Sequence, residues 1–317
     1  CLVGSEMCIR DRIGDNRYII NSLTGFIEFI SVMSQKKYTW FRGQTDKEWD
    51  IEPGLSRIKR SPVRKKDSNL IQYIRYQTTD FNSAIDEAMD KVNNDPHYLE
   101  IKHLNLNKLQ FLLLAQHYGM RTPVLDWTTN PDIALFFALD FKQIEGSSPI
   151  IYATNPKLTN WNSSVNIGGK YQYEIFKADN EGISNFVDKE LKDIEGKENK
   201  VNSFVCPIAL ESTLDFSHRI TFQSGKFTIN GPKKPLEHVM FKDLTITPYK
   251  SKETEYYSIS AEINSNDKEL VLQLKSYLED FGYTKENVYR LGDKKSRLLD
   301  ELFLEIQNKH NNYPEER

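Results

Sequence analysis

The apolar positions of the chain fall into stretches with two different periods. Across residues 18–33, Ile19, Ile20, Leu23, Phe26, Ile27, Phe29 and Ile30 recur at three- and four-residue spacing, with Ser22 and Thr24 near the start. That spacing predicts an amphipathic helix over the whole stretch. The run Tyr38-Thr39-Trp40-Phe41-Arg42-Gly43 is aromatic and β-branched and stops at a glycine, which predicts a strand entering a loop. Helical spacing returns over residues 69–93 and 106–118, with Gly119 placed as a left-handed cap. Thr122-Pro123-Val124-Leu125 then leads into a second polar motif, Asp126-Trp127-Thr128-Thr129.

A helix is predicted to begin at Pro131. Asn130 is a good N-cap, proline suits the first helical position, and Asp132 complements the positive helix end. The residues that follow are apolar almost all round, which points to burial at the centre of the domain. Ile150-Ile151-Tyr152-Ala153 and residues 204–210 predict core strands, and residues 222–229 a hairpin or bulged strand about Ser224-Gly225. Residues 160–202 are polar, with only a weak helical pattern over 183–194, and predict an insertion. Residues 270–283 and 297–309 predict helices, bridged by 284–293.

Together these elements predict an α+β fold with a mixed central sheet flanked by helices. One domain spans residues 13–245 and includes the insertion at 160–202. A helical C-terminal extension covers 246–317, with the seam between the two at 236–248. Residues 1–12 resemble a translated sequencing adapter, or else form a disordered N-terminus, and are set aside from the fold.

Composition narrows the class. Of 317 residues 38% are apolar and 27% charged, with 16 Tyr and 17 Phe, so the chain has enough apolar side chains for a packed core. The net charge of -3 gives no overall attraction to nucleic acid or anionic membrane, so either partner would need a local patch. One such patch is Arg57, Lys59, Arg60, Arg64, Lys65 and Lys66, which reads either as a solvated linker or as a contact to a phosphate backbone. Three scattered cysteines predict neither a disulfide framework nor a metal cluster. With no apolar run of membrane-spanning length, a cytoplasmic location is expected.

The candidate chemistry lies in three elements. Arg42 precedes Gly43 and Gln44 at a strand end. There a guanidinium suits a phosphate, and the glycine allows a ligand close to the backbone; the other reading of Arg42 is a structural ion-pair partner, for instance of Asp126. The second element is His117 with Asp126, Trp127, Thr128 and Thr129 ahead of the Pro131 helix start, a natural anion site. Equally, Thr129 and Asn130 cap the helix, and His117 and Trp127 belong to the core. The third is Gln223 between Phe222 and Ser224-Gly225, where an amide either meets a ligand or bridges backbone groups at a bulge.

Phe41-Arg42-Gly43-Gln44 with Trp49 and Pro53, Ala115-Gln116-His117-Tyr118-Gly119, and Thr122 with Leu125-Asp126-Trp127-Thr128 and residues 134–138 resemble the FRG-domain family. Arg219 with Gln223, Gly225 and Phe227 extends that resemblance over about residues 20–245. It implies a bacterial protein of a family known mainly by its Phe-Arg-Gly signature.

A further resemblance is to ADP-ribosyltransferases of the Arg/Ser-Thr-Ser/Glu class, which implies an ADP-ribosyltransferase-like core. It would make Arg42, Asp126, Thr128 and Gln223 catalytic, and Arg42, Gly43, Gln44, His117, Trp127 and Thr129 the residues that bind NAD. The activity implied is that of an NAD-dependent transferase or glycohydrolase, acting as a toxin or antiphage effector on a macromolecular acceptor. The chain departs from that class where the catalytic glutamate belongs. Gln223 is neutral there, so either Asp126 or Glu211 serves, or the pocket only binds a nucleotide or phosphate. The remaining alternative is nucleic-acid binding through the basic patch.

Overall fold

Local chemistry sets where the elements of the chain begin and end. The computed structural model describes residues 16–49, 51, 53–54, 70–139, 147–162, 174–192, 208–211, 218–229, 245–246, 255–256, 258–290 and 293–310. The set-aside residues 1–12, the basic patch at 57–66 and most of the proposed seam at 236–248 lie outside the described residues. In chain order the first elements are β1 (Arg17–Ile20), α1 (Leu23–Gln35), β2 (Trp40–Gln44), α2 (Leu70–Asn94), α3 (Leu99–Lys102), α4 (Lys108–His117), β3 (Val124–Thr128) and α5 (Pro131–Leu139). The middle of the chain forms β4 (Ile150–Thr154), α6 (Pro156–Asn162), β5 (Phe176–Lys177), α7 (Glu181–Lys192), β6 (Ile208–Glu211), α8 (His218–Phe222) and β7 (Gly225–Ile229). Last come β8 (Thr245–Ile246), β9 (Glu255–Tyr256), β10 (Ser258–Ile263), α9 (Lys268–Asp280), α10 (Lys285–Tyr289) and α11 (Lys294–His310).

The chain divides into two compact units, which interleave in sequence. The first comprises Cys1–Ile51, Trp127–Thr159 and Met240–Tyr289; the second comprises Glu52–Asp126, Asn160–Val239 and Arg290–Arg317. Both are α+β with mixed strand directions.

In the first unit the strand order is β1-β10-β4-β2-β3. The β1–β10 pair is parallel, and β10–β4, β4–β2 and β2–β3 are antiparallel. Helix α5 packs on β2, α1 on β1, and α9 on both α1 and α5. In the second unit residues 124–126 of β3 are followed by β7, β6 and β5. Its core gathers Leu113 and Leu114 of α4, Ile208 of β6, Phe227 of β7, and Leu302 and Phe303 of α11. There α2 and α11 are tied at the surface by Lys91–Glu305 at 2.5 Å and by Glu87, which meets Lys309 at 2.6 Å and His310 at 2.8 Å.

Several expectations hold in detail. Helix α4, expected over residues 106–118, spans Lys108–His117; its start carries a capping box that was not among the expectations, in which Asn107 Oδ1 accepts from Gln110 N at 2.8 Å and Gln110 Oε1 accepts from Asn107 N at 3.0 Å. Gly119 follows at φ +84, the left-handed cap. Helix α5 begins at Pro131, with Asn130 Oδ1 accepting from Asp132 N at 2.9 Å.

Three expectations are corrected. The helix predicted over 18–33 starts only at Leu23, because the Ser22 hydroxyl caps Gly25 N at 2.9 Å. Residues 17–20 are strand β1, whose buried Tyr18 and Ile20 follow period two and pair with Ala261 and Ile263. Residues 222–229 are no hairpin: α8 ends at Phe222, Ser224 takes a left-handed φ of 48, and β7 follows. Residues 246–317 are not solely helical, since β10 lies between β1 and β4. Ile259, Ala261 and Ile263 alternate there with the half-buried Ser260 and Glu262.

Candidate functional site

Strand β2 carries the Phe-Arg-Gly signature, and its alternation sends neighbouring residues to opposite faces. On the Gly43 side the backbone of α5 fills the space a side chain would need. A Cβ on Gly43 would lie 1.9 Å from Ala134 O and 2.6 Å from Ala138 N. The glycine expected to admit a ligand therefore admits a helix.

Trp40, Arg42 and Gln44 occupy the other face. Arg42 Nε donates to Gln44 Oε1 at 3.3 Å, and Gln44 Nε2 donates to Trp49 O at 3.0 Å, which anchors the loop after β2. Strand register places Tyr152 beside Arg42, Ser260 beside Tyr152 and Arg17 beside Ser260. A polar row with an arginine at each end thus runs across four strands. Arg42 and Ser260 are half-buried, Tyr152 is buried and Arg17 is exposed.

Thr128 pairs with Phe41 across β2 and β3 and so shares the α5 face, away from Arg42. It is buried, and its Oγ1 accepts from Asn130 N at 2.9 Å, so the hydroxyl serves the turn into α5. Thr129 is exposed and Trp127 is buried. The α5 start already carries its own carboxylate. Tyr277 donates to Asp132 Oδ1 at 3.1 Å, and Asn130 Nδ2 donates to the Tyr283 hydroxyl at 2.9 Å. Burial raises Asp132 above the ordinary carboxylate range, against the hydroxyls that bond to it, and burial with the nearby Asp132 pushes Tyr277 up to about 12.

In the second unit Asp126 ends a chain of hydrogen bonds that runs from Thr122 through Gln116. The buried Thr122 hydroxyl accepts from Val124 N at 3.0 Å and donates to Gln116 Oε1, while Gln116 Nε2 donates to Asp126 Oδ2 at 2.6 Å. Asp126 Oδ1 lies 3.8 Å from Nδ1 of the buried His117. Burial lowers the His117 pKa, and the Asp126 carboxylate works in the opposite direction. Burial therefore favours the neutral imidazole. Its ring packs edge-on to Tyr118 and Phe227. Asp126 keeps 40% of its side chain exposed.

Arg219 belongs to this unit as well. Its guanidinium lies 5.3 Å from the centre of the Tyr118 ring and 3.4 Å from Asp300. Gln223 sits in the turn between α8 and β7, buried, with its backbone N donating to Arg219 O at 3.0 Å.

Of the residues expected at the site, Arg42, Gly43, Gln44, Trp127, Thr128 and Thr129 thus lie in the first unit, and His117, Asp126 and Gln223 in the second. The expectation named Asp126 but left out the two side chains that orient it, Gln116 and Thr122. Their only signal was a place in the same motifs.

Fold and site together give an α+β protein with a carboxylate held by Gln116 beside a buried histidine in one unit and a half-buried arginine in the other. Residues 37–146, from the start of β2 through α5, match the family model of the FRG domain, and the chain carries that domain. No curated protein matches the chain, and no solved structure does. Among the described residues no helix is long and apolar enough to cross a membrane.

Proposed function

We propose that the FRG domain binds a ribose-bearing nucleotide and that Asp126 engages the sugar. One observation carries this reading. Asp126 has one oxygen held by Gln116 at 2.6 Å, a buried imidazole on its other side, and 40% of its side chain open to solvent. A carboxylate so oriented accepts from ligand hydroxyls. Gln223, neutral and buried in a turn, is a poor substitute for the missing glutamate, which leaves the charge to Asp126.

With NAD as the ligand, Asp126 stabilises the cation-like ribose as its bond to nicotinamide breaks. The bonding electrons leave with neutral nicotinamide. Water or a macromolecular acceptor then bonds to the ribose carbon and gives up a proton. Such a reaction is that of an ADP-ribosyltransferase or NAD glycohydrolase, and consuming NAD or modifying a cellular target suits a toxin or antiphage effector.

The test is to incubate the purified full chain with NAD and follow nicotinamide by chromatography. Release that falls by about a hundredfold or more in Asp126→Asn supports the reading. No release, together with no saturable binding of NAD or ADP, overturns it.

A second reading rests on the row Arg42-Tyr152-Ser260-Arg17. An arginine whose Nε is already tied to Gln44 is pre-oriented to grip a phosphate, as a binding module would do without turnover. Saturable ADP binding without nicotinamide release, weakened about tenfold or more by Arg42→Ala and untouched by Asp126→Asn, would favour this module over the transferase.

A further inference from the structure

Gln116 and Thr122 form a one-way chain of donors aimed at Asp126. A side-chain amide has a donor end and an acceptor end and by itself can take either orientation. Here the Asp126 carboxylate, which can only accept, takes the NH2 end at 2.6 Å, and Thr122, whose oxygen accepts from Val124 N at 3.0 Å, gives its proton to the Oε1 end and holds the amide in that orientation. Thr122 is fully buried, so water does not compete for its hydroxyl. Each donor in such a chain strengthens the next. The other carboxylate oxygen, Oδ1, is buried on the His117 side, so the exposed part of the Asp126 side chain lies away from Oδ1.

From this geometry, and resting on the reading of Asp126 given above, we infer that Gln116 and Thr122 are positioning residues. They hold Oδ2 of Asp126 as the atom that recognises a ribose hydroxyl of the nucleotide. The specificity that follows is for a sugar with its hydroxyls in place. A carboxylate fixed to accept a hydroxyl discriminates against an analogue that lacks it, whereas a carboxylate free to rotate finds other partners and discriminates less.

The experiment compares the affinities of carba-NAD, whose nicotinamide bond is not cleaved, and of its analogue lacking the two hydroxyls of the nicotinamide-side ring by calorimetry, well below the melting temperature of every variant. The native chain is expected to favour carba-NAD by about tenfold or more. Thr122→Val keeps the shape but removes the hydroxyl, and Gln116→Leu removes the amide. Both are expected to bring the ratio of the two affinities toward one. Thr122→Ser, which keeps the hydroxyl, is expected to retain the native ratio.

A structural role alone would lower the melting temperature of Thr122→Val and Gln116→Leu without changing the ratio in the folded protein. Native discrimination that persists in both of these variants therefore overturns the inference and leaves the reading of Asp126 standing. A native chain that binds neither nucleotide, or binds both equally, overturns the reading itself. If one variant fails to fold, the other paired with Thr122→Ser still decides the matter.

Discussion

Replacing Gly43 with alanine tests the packing that the Phe-Arg-Gly signature serves. The added Cβ would sit 1.9 Å from Ala134 O, 2.6 Å from Ala138 N and 2.9 Å from Ala134 C, all backbone atoms of α5. No side chain can swing aside to relieve that overlap. Restoring an ordinary contact means moving the first of these atoms by about 1.5 Å, and with it a helix that also packs on β4 and α9.

Overpacking of this kind costs roughly 1–3 kcal/mol, and the rigid partner puts Gly43→Ala at about 3 kcal/mol or beyond. The entropy that alanine removes from the unfolded chain offsets only about 0.4–1 kcal/mol. With urea slopes of roughly 1–3 kcal/mol per molar, the midpoint should fall by about 1 M or more. Circular dichroism through a urea titration measures it. A Gly43→Ala midpoint equal to or above the native one would refute the reasoning and return Gly43 to the role of a ligand-approach residue.

Two further predictions follow from the second unit. Burial lowers the His117 pKa from its usual 6.5, so as pH falls through 6.5 the unfolded chain takes up a proton that the folded chain refuses. The stability from this site is complete above pH 6.5 and declines below it, by up to about 1.4 kcal/mol per pH unit, until the folded imidazole itself titrates. Urea midpoints of the native chain and His117→Gln between pH 7.5 and 5.5 check this; equal pH slopes in the two proteins would rule it out. Asn107→Ala removes the capping box of α4 and the bond from Asn107 Nδ2 to Ala178 O at 2.9 Å, and should cost about 2 kcal/mol. Asn107→Asp keeps the cap acceptor and should lose about half as much, whereas equal stability for all three proteins would contradict the assignment.

Much of the local structure was legible in the chain because its signals act over a few residues. Asn130-Pro131-Asp132 announces the start of α5, Gly119 the end of α4, and the spacing of apolar residues the run of α2 and α11. Misreadings came where two periods overlap. Ile19 and Ile20 suit either a helix or a strand edge, and only the pairing of β1 with β10, some 240 residues away, decides for the strand. The same remote pairing makes residues 258–263 a sheet strand inside a region that otherwise reads as helical.

The site was legible as a list of side chains, but the roles of its members were not. The sequence by itself determined which chemistry is present: the arginine of the signature, the Asp126 carboxylate, the histidine, the threonines and the neutral Gln223. Tertiary structure alone decided which of these serve the fold. Register puts Thr128 and Arg42 on opposite faces of the sheet, α5 takes the space beside Gly43, and the turn into α5 takes the Thr128 hydroxyl. The physical reason is that a residue's identity sets its donors, acceptors and charge, whereas its partners depend on which strand lies alongside and which helix covers it. Those neighbours come from remote parts of the chain, and no local pattern encodes them.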